Sequence, residues 1–288
     1  MESRFPYHLC QPDESKSCAA CCGIYNFRRN GREDVAERLK RNTEFMKATS
    51  RGGLQPESLV TYSEKVRDFY NGESKLFVTV FNCEFAGFLD DGGKRVGCLL
   101  HPSRNGGRDW RDFSFYGAEL CDGHYCLSYF YLTPSEQRLV IESTDDWYLY
   151  GLTITDIDLV KGVYNVLSNE VGEAINPDLV SQSRELRQIL NSIWSMKLSW
   201  KYRIEEEDSF GKYLFRGEEY REIKIPYELF NRKPSPYHSI FLSFGSAFKD
   251  GQELEEAEMM LKEKFGLFAG VYSEVRLKSK GCEPVRKN

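Results

Sequence analysis

Eight of the nine cysteines in this 288-residue chain stand before residue 127, at positions 10, 18, 21, 22, 83, 98, 121 and 126, and only Cys282 follows them. That asymmetry divides the chain into two regions and restricts what the first can be. Free cysteine behaves as a small buried hydrophobe, which accounts for one such residue in a fold. Disulfides account for even-numbered frameworks in oxidising compartments. Eight clustered cysteines at Cys-x2-Cys-Cys and Cys-x4-Cys spacings, within an odd total, are better explained by metal binding or thiol chemistry.

The compartment argues the same way. The opening MESRFPYHLCQPDESKS lacks the apolar run of a secretory signal, and no stretch of about 18 or more apolar residues occurs anywhere. The expectation is a cytoplasmic protein with reduced thiols and no membrane partner. Residues 1–126 carry 18 basic and 18 acidic side chains, against 21 and 26 in the remainder. Neither part has a basic nucleic-acid footprint, so nucleic acid is not the expected partner.

Within the first region, Cys18-Ala19-Ala20-Cys21-Cys22-Gly23 is the most informative segment. Two cysteines three apart can turn their thiolates onto one metal in a tight turn whose amides donate to sulfur. The small residues between them leave that turn uncrowded, and Gly23 can adopt positive φ beside it. Cys21 and Cys22 are adjacent and project differently, so they serve two metals, or one is a ligand and the other a bystander. Ligands confined to one turn rarely complete a tetrahedral shell. The others are expected from Cys83, Cys98, Cys121 and Cys126, with Cys10 as an eighth candidate. Cys98-Leu-Leu-His101 and Cys121-Asp-Gly-His124 have the spacing of a cysteine–histidine pair. Such histidines either ligate or, more often, hydrogen-bond a ligand or cap a turn.

Hydrophobic periodicity supplies the scaffold. Helices are predicted over 34–48 and 57–70, and a strand over 76–81 that delivers Cys83 at its end. A turn at Asp90-Asp91-Gly92-Gly93 leads to a returning strand over 95–100, so that a hairpin brings Cys83 and Cys98 together. Thr133-Pro134-Ser135-Glu136 has a cap, a proline at the first helical position and a glutamate three after the cap, so a helix should start there. The domain boundary is placed just before it. Ile157, Val160, Tyr164, Leu167, Val171 and Ala174 suit one helical stripe, and Leu179, Leu186, Leu190, Ile193 and Trp200 another helix beginning at Asn176-Pro177. Ile223, Ile225 and Tyr227 alternate at period two, as do Ile240, Leu242 and Phe244, and a last helix is predicted over 253–265.

The fold class is therefore α+β: a cysteine-rich metal-binding region with helices and a short hairpin over 1–132, a mixed helix and strand region over 133–277, and a polar tail over 278–288. Two other sites merit attention. Arg104, Arg108, Trp110 and Arg111 flank Gly106-Gly107 and could cradle a phosphate or stack on a base, but more simply they offset thiolate charge and nearby aspartates. The acidic run Glu205-Glu206-Glu207-Asp208 reads as an exposed loop.

At its cysteines the chain resembles the CxxCxxCC family of zinc- or iron-chelating proteins. The matching parts are Cys10, Cys18-Ala-Ala-Cys21-Cys22, Cys83-Glu-Phe-Ala-Gly-Phe-Leu89, Gly97-Cys98-Leu-Leu-His101-Pro102, and Cys121 with Cys126, under half of the chain. It departs in the length of Cys10-x7-Cys18 and in His101 where arginine is usual. The resemblance implies chelation through Cys10, Cys18, Cys21, Cys22, Cys83, Cys98, Cys121 and Cys126. A relative with a similar cluster, a flagellin lysine methylase, implies the alternative of a cluster-dependent enzyme performing redox chemistry or methyl transfer to protein. No glycine-rich nucleotide fingerprint accompanies it. Sulfur-rich ligation suits zinc and iron–sulfur clusters alike, so the cofactor is one or the other. Seven or eight thiolates exceed the four that one zinc needs, which implies two ions or a cluster with cysteines to spare. The second region is the expected surface for another protein.

Overall fold

The computed structural model describes residues 6–205, 209–217 and 219–281, with side chains to residue 279. In chain order it contains α1 (Arg32–Thr49), α2 (Pro56–Tyr70), β1 (Ala86–Phe88), β2 (Val96–Cys98), α3 (Gly117–Gly123), α4 (Ser128–Tyr131) and α5 (Pro134–Ser143). Then follow α6 (Trp147–Ile154), α7 (Ile157–Val171), α8 (Pro177–Gln182), α9 (Arg184–Ser199), β3 (Ser209–Phe210), β4 (Tyr213–Arg216), β5 (Glu219–Glu222), α10 (His238–Ser243) and α11 (Gly251–Gly281). The fold is α+β, largely helical, with a two-stranded antiparallel sheet β1-β2 and a three-stranded sheet in the order β3-β4-β5.

The chain divides into two compact units. Unit 1 comprises Met1–Tyr129, Asp146–Thr155 and Phe215–Glu219, and unit 2 comprises Phe130–Asp145, Asp156–Leu214 and Tyr220–Asn288. The division falls three residues before the sequence-based boundary, and two later stretches return to unit 1.

In unit 1, α1 packs on both β1 and α2, with Val35, Leu39, Met46, Leu59, Tyr62 and Val66 buried. The hairpin pairs Ala86 with Cys98, Gly87 with Gly97 and Phe88 with Val96. Its first strand is not the one expected. Residues 76–80 form bends and turns, because the Asn26 side chain takes their backbone groups: the Phe77 amide donates to Asn26 Oδ1 at 2.9 Å, and Asn26 Nδ2 donates to the carbonyls of Phe77 and Val80 at 3.0 and 3.2 Å. Val78 is left exposed. Apolar β-branched residues suggested a strand; a buried amide made a loop of them.

The sequence also gave no sign of α6, in which every residue from Trp147 to Ile154 is buried. Asp146 caps it by accepting from the Tyr148 and Leu149 amides at 2.7 and 3.0 Å. A helix that is apolar all round has no periodicity to read. Gly151 within it is required by packing, since a Cβ there would lie 2.3 Å from the Tyr25 hydroxyl.

Unit 2 is a helical assembly in which α11 packs on α7 and α9, α10 on α7, and α5 on α8 and α9. The predicted start of α5 is observed: the Glu136 amide donates to Thr133 Oγ1 at 3.3 Å and the Thr133 amide to Glu136 Oε2 at 2.7 Å. The core face of α7 is Leu159, Val160, Val163 and Leu167, while Ile157, Tyr164 and Val171 lie at its margins and Ala174 beyond its end. The single helix expected from 176 is two, because Ser183 ends α8 and caps α9 by accepting from the Leu186 amide at 3.3 Å.

Two predicted strands are also absent. Tyr237, Ile240, Phe241 and Phe244 are buried at helical spacing, so 238–243 is α10. Ile223 and Ile225 are buried, but β5 stops at Glu222, and Pro226 precedes a 3-10 turn at Tyr227–Phe230. The last helix does not stop at residue 265: Leu254, Ala257, Leu261, Phe265, Phe268 and Tyr272 form one buried stripe, and Gly266 and Gly270 lie off it with nothing within 4 Å of a Cβ. Helix therefore replaces the start of the expected tail through Gly281, and residues 282–288, Cys282 included, lie outside the described residues. So do residues 206–208 of the acidic run.

Candidate metal centre

All eight early cysteines fall in unit 1 and are free thiols. The segment carrying three of them is shaped by its backbone. The Cys18 amide donates to the Cys10 carbonyl at 2.9 Å, closing the loop between them. A 3-10 turn, Ala20–Cys22, follows, and the Ala20 amide donates to Cys18 Sγ at 3.4 Å. Gly23 ends that turn with φ of 79°, and a Cβ there would lie 2.7 Å from the Phe81 carbonyl oxygen, so both conformation and space demand glycine.

From this turn the chain is latched to the segment before the hairpin. Asn82 Nδ2 donates to the Gly23 carbonyl at 2.6 Å, Asn26 Nδ2 to Asn82 Oδ1 at 3.1 Å, and the Cys83 amide to the Cys22 carbonyl at 2.8 Å. The Ala86 amide in turn donates to the Cys83 carbonyl at 3.2 Å, and Ala86 pairs with Cys98. Cys83 and Cys98 thus approach as expected, through a turn ahead of β1 rather than from opposed strand ends. Cys22, Cys83 and Cys98 share one apolar cluster with Tyr62, Phe85 and Leu99.

Cys121 lies on α3, where Arg111 Nη1 holds the adjacent Asp122 at 2.5 Å while Arg111 Nε and Nη2 grip Asp109. Arg108 stacks over the buried Trp110 ring, 3.7 Å from its centre. Arg111 therefore offsets aspartates, as the simpler sequence reading has it, while Arg108 lies on an aromatic ring and Arg104 donates to the Leu89 carbonyl at 2.7 Å. Cys126 is joined to Cys10 through Tyr129, whose amide donates to the Cys126 carbonyl at 3.0 Å and whose hydroxyl lies 3.8 Å from Cys10 Sγ. Above these, the buried Tyr150 donates to the Leu9 carbonyl at 2.8 Å. His101 caps a turn, its Nδ1 accepting from the Ser103 amide at 3.2 Å. His124 is exposed just beyond α3.

Electrostatics follow the same neighbourhoods. Burial pushes the Cys22 thiol far up, reinforced by the charges that Cys83, Cys98, Cys10 and Cys121 would carry. Burial raises Cys83, with Cys98 and then Glu84 adding to it, and Cys98 rises to about 11, with the Leu100 amide and Arg111 opposing burial. Cys121 is raised by burial and relieved by Arg111 and a hydrogen bond from Ser114. Burial lifts Cys18, then the charge of Cys10; Cys10 itself is raised by burial, with Tyr129 opposing. The Cys21 thiol donates to Cys126, so Cys21 holds its proton and Cys126 sheds its own more readily.

Cysteine sulfur is a donor type that zinc and iron–sulfur clusters both take, and a bound metal would displace the protons that burial holds on Cys18, Cys22 and Cys83. Among the described residues, no three cysteine, histidine, aspartate or glutamate side chains already stand as a metal shell. The groups that the sequence did not reveal, beside the Arg111 it did, are Asn26, Asn82, Tyr129 and Glu84. Glu84 is fully buried, accepting from Ser63 Oγ at 2.6 Å and Arg67 Nε at 3.0 Å on one oxygen, with no hydrogen-bond partner on the other among the described residues. The only hint was their adjacency, as in Asn82-Cys83-Glu84.

Among the described residues no helix is long and apolar enough to cross a membrane. Comparison with known protein families, with curated proteins and with solved structures returns no match for this chain.

Proposed function

We propose that the protein binds metal, as zinc or an iron–sulfur cluster, through the cysteines of unit 1, and that this metal organises the unit or is carried for another process. The observation that supports it is the gathering of eight free thiols from positions 10 to 126 in one compact unit, where Cys22, Cys83 and Cys98 share an apolar cluster and the Tyr129 hydroxyl, three residues from Cys126, lies 3.8 Å from Cys10 Sγ. Cys10, Cys18, Cys21, Cys22, Cys83, Cys98, Cys121 and Cys126 would hold the metal. A bound ion or cluster would cross-link segments with few regular hydrogen bonds of their own. The cavity touching Cys22 and Cys83 holds about 10 Å³, room for a single water. Reduced thiols on this scale suit the cytoplasm.

Unit 2 serves, in this reading, as the surface for another protein: Met259, Leu267 and Leu277 are exposed on α11. Protein purified without oxygen should contain zinc, or iron with acid-labile sulfide and visible absorption. Finding none of these would end the proposal.

A further inference from the structure

The contacts around the eight cysteines fall into two chains, with the charge of Cys10 in one also bearing on Cys22 in the other. Hydrogen bonds connect Cys10 to Cys18, and Cys126 to Cys10 by way of Tyr129, while the thiol of Cys21 meets that of Cys126. A separate chain of contacts connects Cys22 to Cys83 and Cys83, through Ala86, to Cys98, and the three share one apolar cluster. Cys121 joins this second set from α3. Asp122 next to it is tied to Arg111, and the amide of the preceding Trp110 donates to the Leu100 carbonyl at 3.2 Å, two residues from Cys98.

The turn at Cys21-Cys22 explains how the sets separate. In a 3-10 helix successive side chains point about 120° apart, so adjacent cysteines cannot readily face one small ion together.

We propose that the cysteines form two separate four-thiolate centres, one from Cys10, Cys18, Cys21 and Cys126 and the other from Cys22, Cys83, Cys98 and Cys121. This rests on the metal-binding reading above and specifies its stoichiometry and membership. Two short segments bridge the centres: Cys21-Cys22 gives one ligand to each, and so does the stretch from Cys121 to Cys126. Four thiolates complete a tetrahedral zinc site and equally the corners of a cubane cluster, so the division serves either metal. The centres differ in shelter. Each set has one exposed member, Cys21 in the first and Cys121 in the second, but the other three of the second lie in or against the apolar cluster and Cys83 is buried, whereas the other three of the first are half-buried outside it. The first centre should therefore release its metal first.

The test is stepwise chelation of the full-length, anaerobically purified chain, with alkylation of released thiols mapped by mass spectrometry and metal counted at each step. Two blocks of four are expected, Cys10, Cys18, Cys21 and Cys126 reacting before Cys22, Cys83, Cys98 and Cys121, each block accompanying half of the metal. Release of all eight together, or blocks that mix the two sets, would overturn the division while leaving metal binding intact. Absence of metal, with every thiol reactive from the start, would instead overturn the reading beneath it. In parallel, Cys18→Ser and Cys83→Ser should each lose half of the metal, and Cys18→Ser with Cys126→Ser no more than Cys18→Ser alone. A greater loss in the double variant counts against the assignment. The alkylation order is read on the unmutated chain and stands whether or not a variant folds.

Discussion

The two units reach stability by different means. Unit 2 is held by long helices whose apolar faces meet: α7, α9 and α11 span 15, 16 and 31 residues, and each buries a stripe of large side chains. Between residues 83 and 129, unit 1 has two strands of three residues, 3-10 turns and the seven-residue α3. Short elements make few hydrogen bonds of their own, so their positions depend on particular anchors: Asn26, Asn82, Arg111 and the cysteines. Packing spreads the stability of unit 2 over many side chains, whereas in unit 1 the placing of each short segment depends on a few.

The largest effect should come from metal removal. Chelation should cost unit 1 on the order of 10 kcal/mol, as for structural zinc sites. Hydrogen exchange should then show 83–129 losing protection while α7, α9 and α11 keep theirs. Equal loss in both units would break the comparison. Next, Leu261→Ala empties a fully buried position in α11 and should lower the stability of unit 2 by about 2–5 kcal/mol, with metal content unchanged in elemental analysis. Asn26→Ala removes the partners of Phe77, Val80 and Asn82 and should cost about 1–3 kcal/mol, felt as faster exchange at 76–83 and weaker metal retention against a chelator. The smallest effect is Thr133→Ala, which removes the cap of α5 and should lower the melting free energy by about 1 kcal/mol with no change in metal.

What could be read in the sequence follows the same contrast. The capping box at Thr133, the first two helices and the turn at Gly23 depend on local rules, and the structure contains each; Cys83 and Cys98 share a cluster, but by a route other than the expected pair of strands. The failures arose where distant groups decide. Residues 76–81 carry strand-forming side chains, yet a buried asparagine fifty residues earlier claims their backbone. Tyr237, Ile240, Phe241 and Phe244 were legible as a helix, but Ile240, Leu242 and Phe244 also satisfy period two, and short apolar runs support both. In the candidate site, cysteine identity was plain in the sequence. Their division into two sets was not, because it depends on Tyr129 bridging to Cys10 and on Cys22 contacting Cys83 across the fold.

The central claim is that metal in this protein is held by cysteine sulfur, and X-ray absorption at the metal edge of the loaded full-length chain tests it most directly. About four sulfur neighbours per metal near 2.3 Å are predicted for zinc, and an iron–sulfur cluster would add iron neighbours to a sulfur shell. A shell of nitrogen or oxygen at about 2.0–2.1 Å would contradict it.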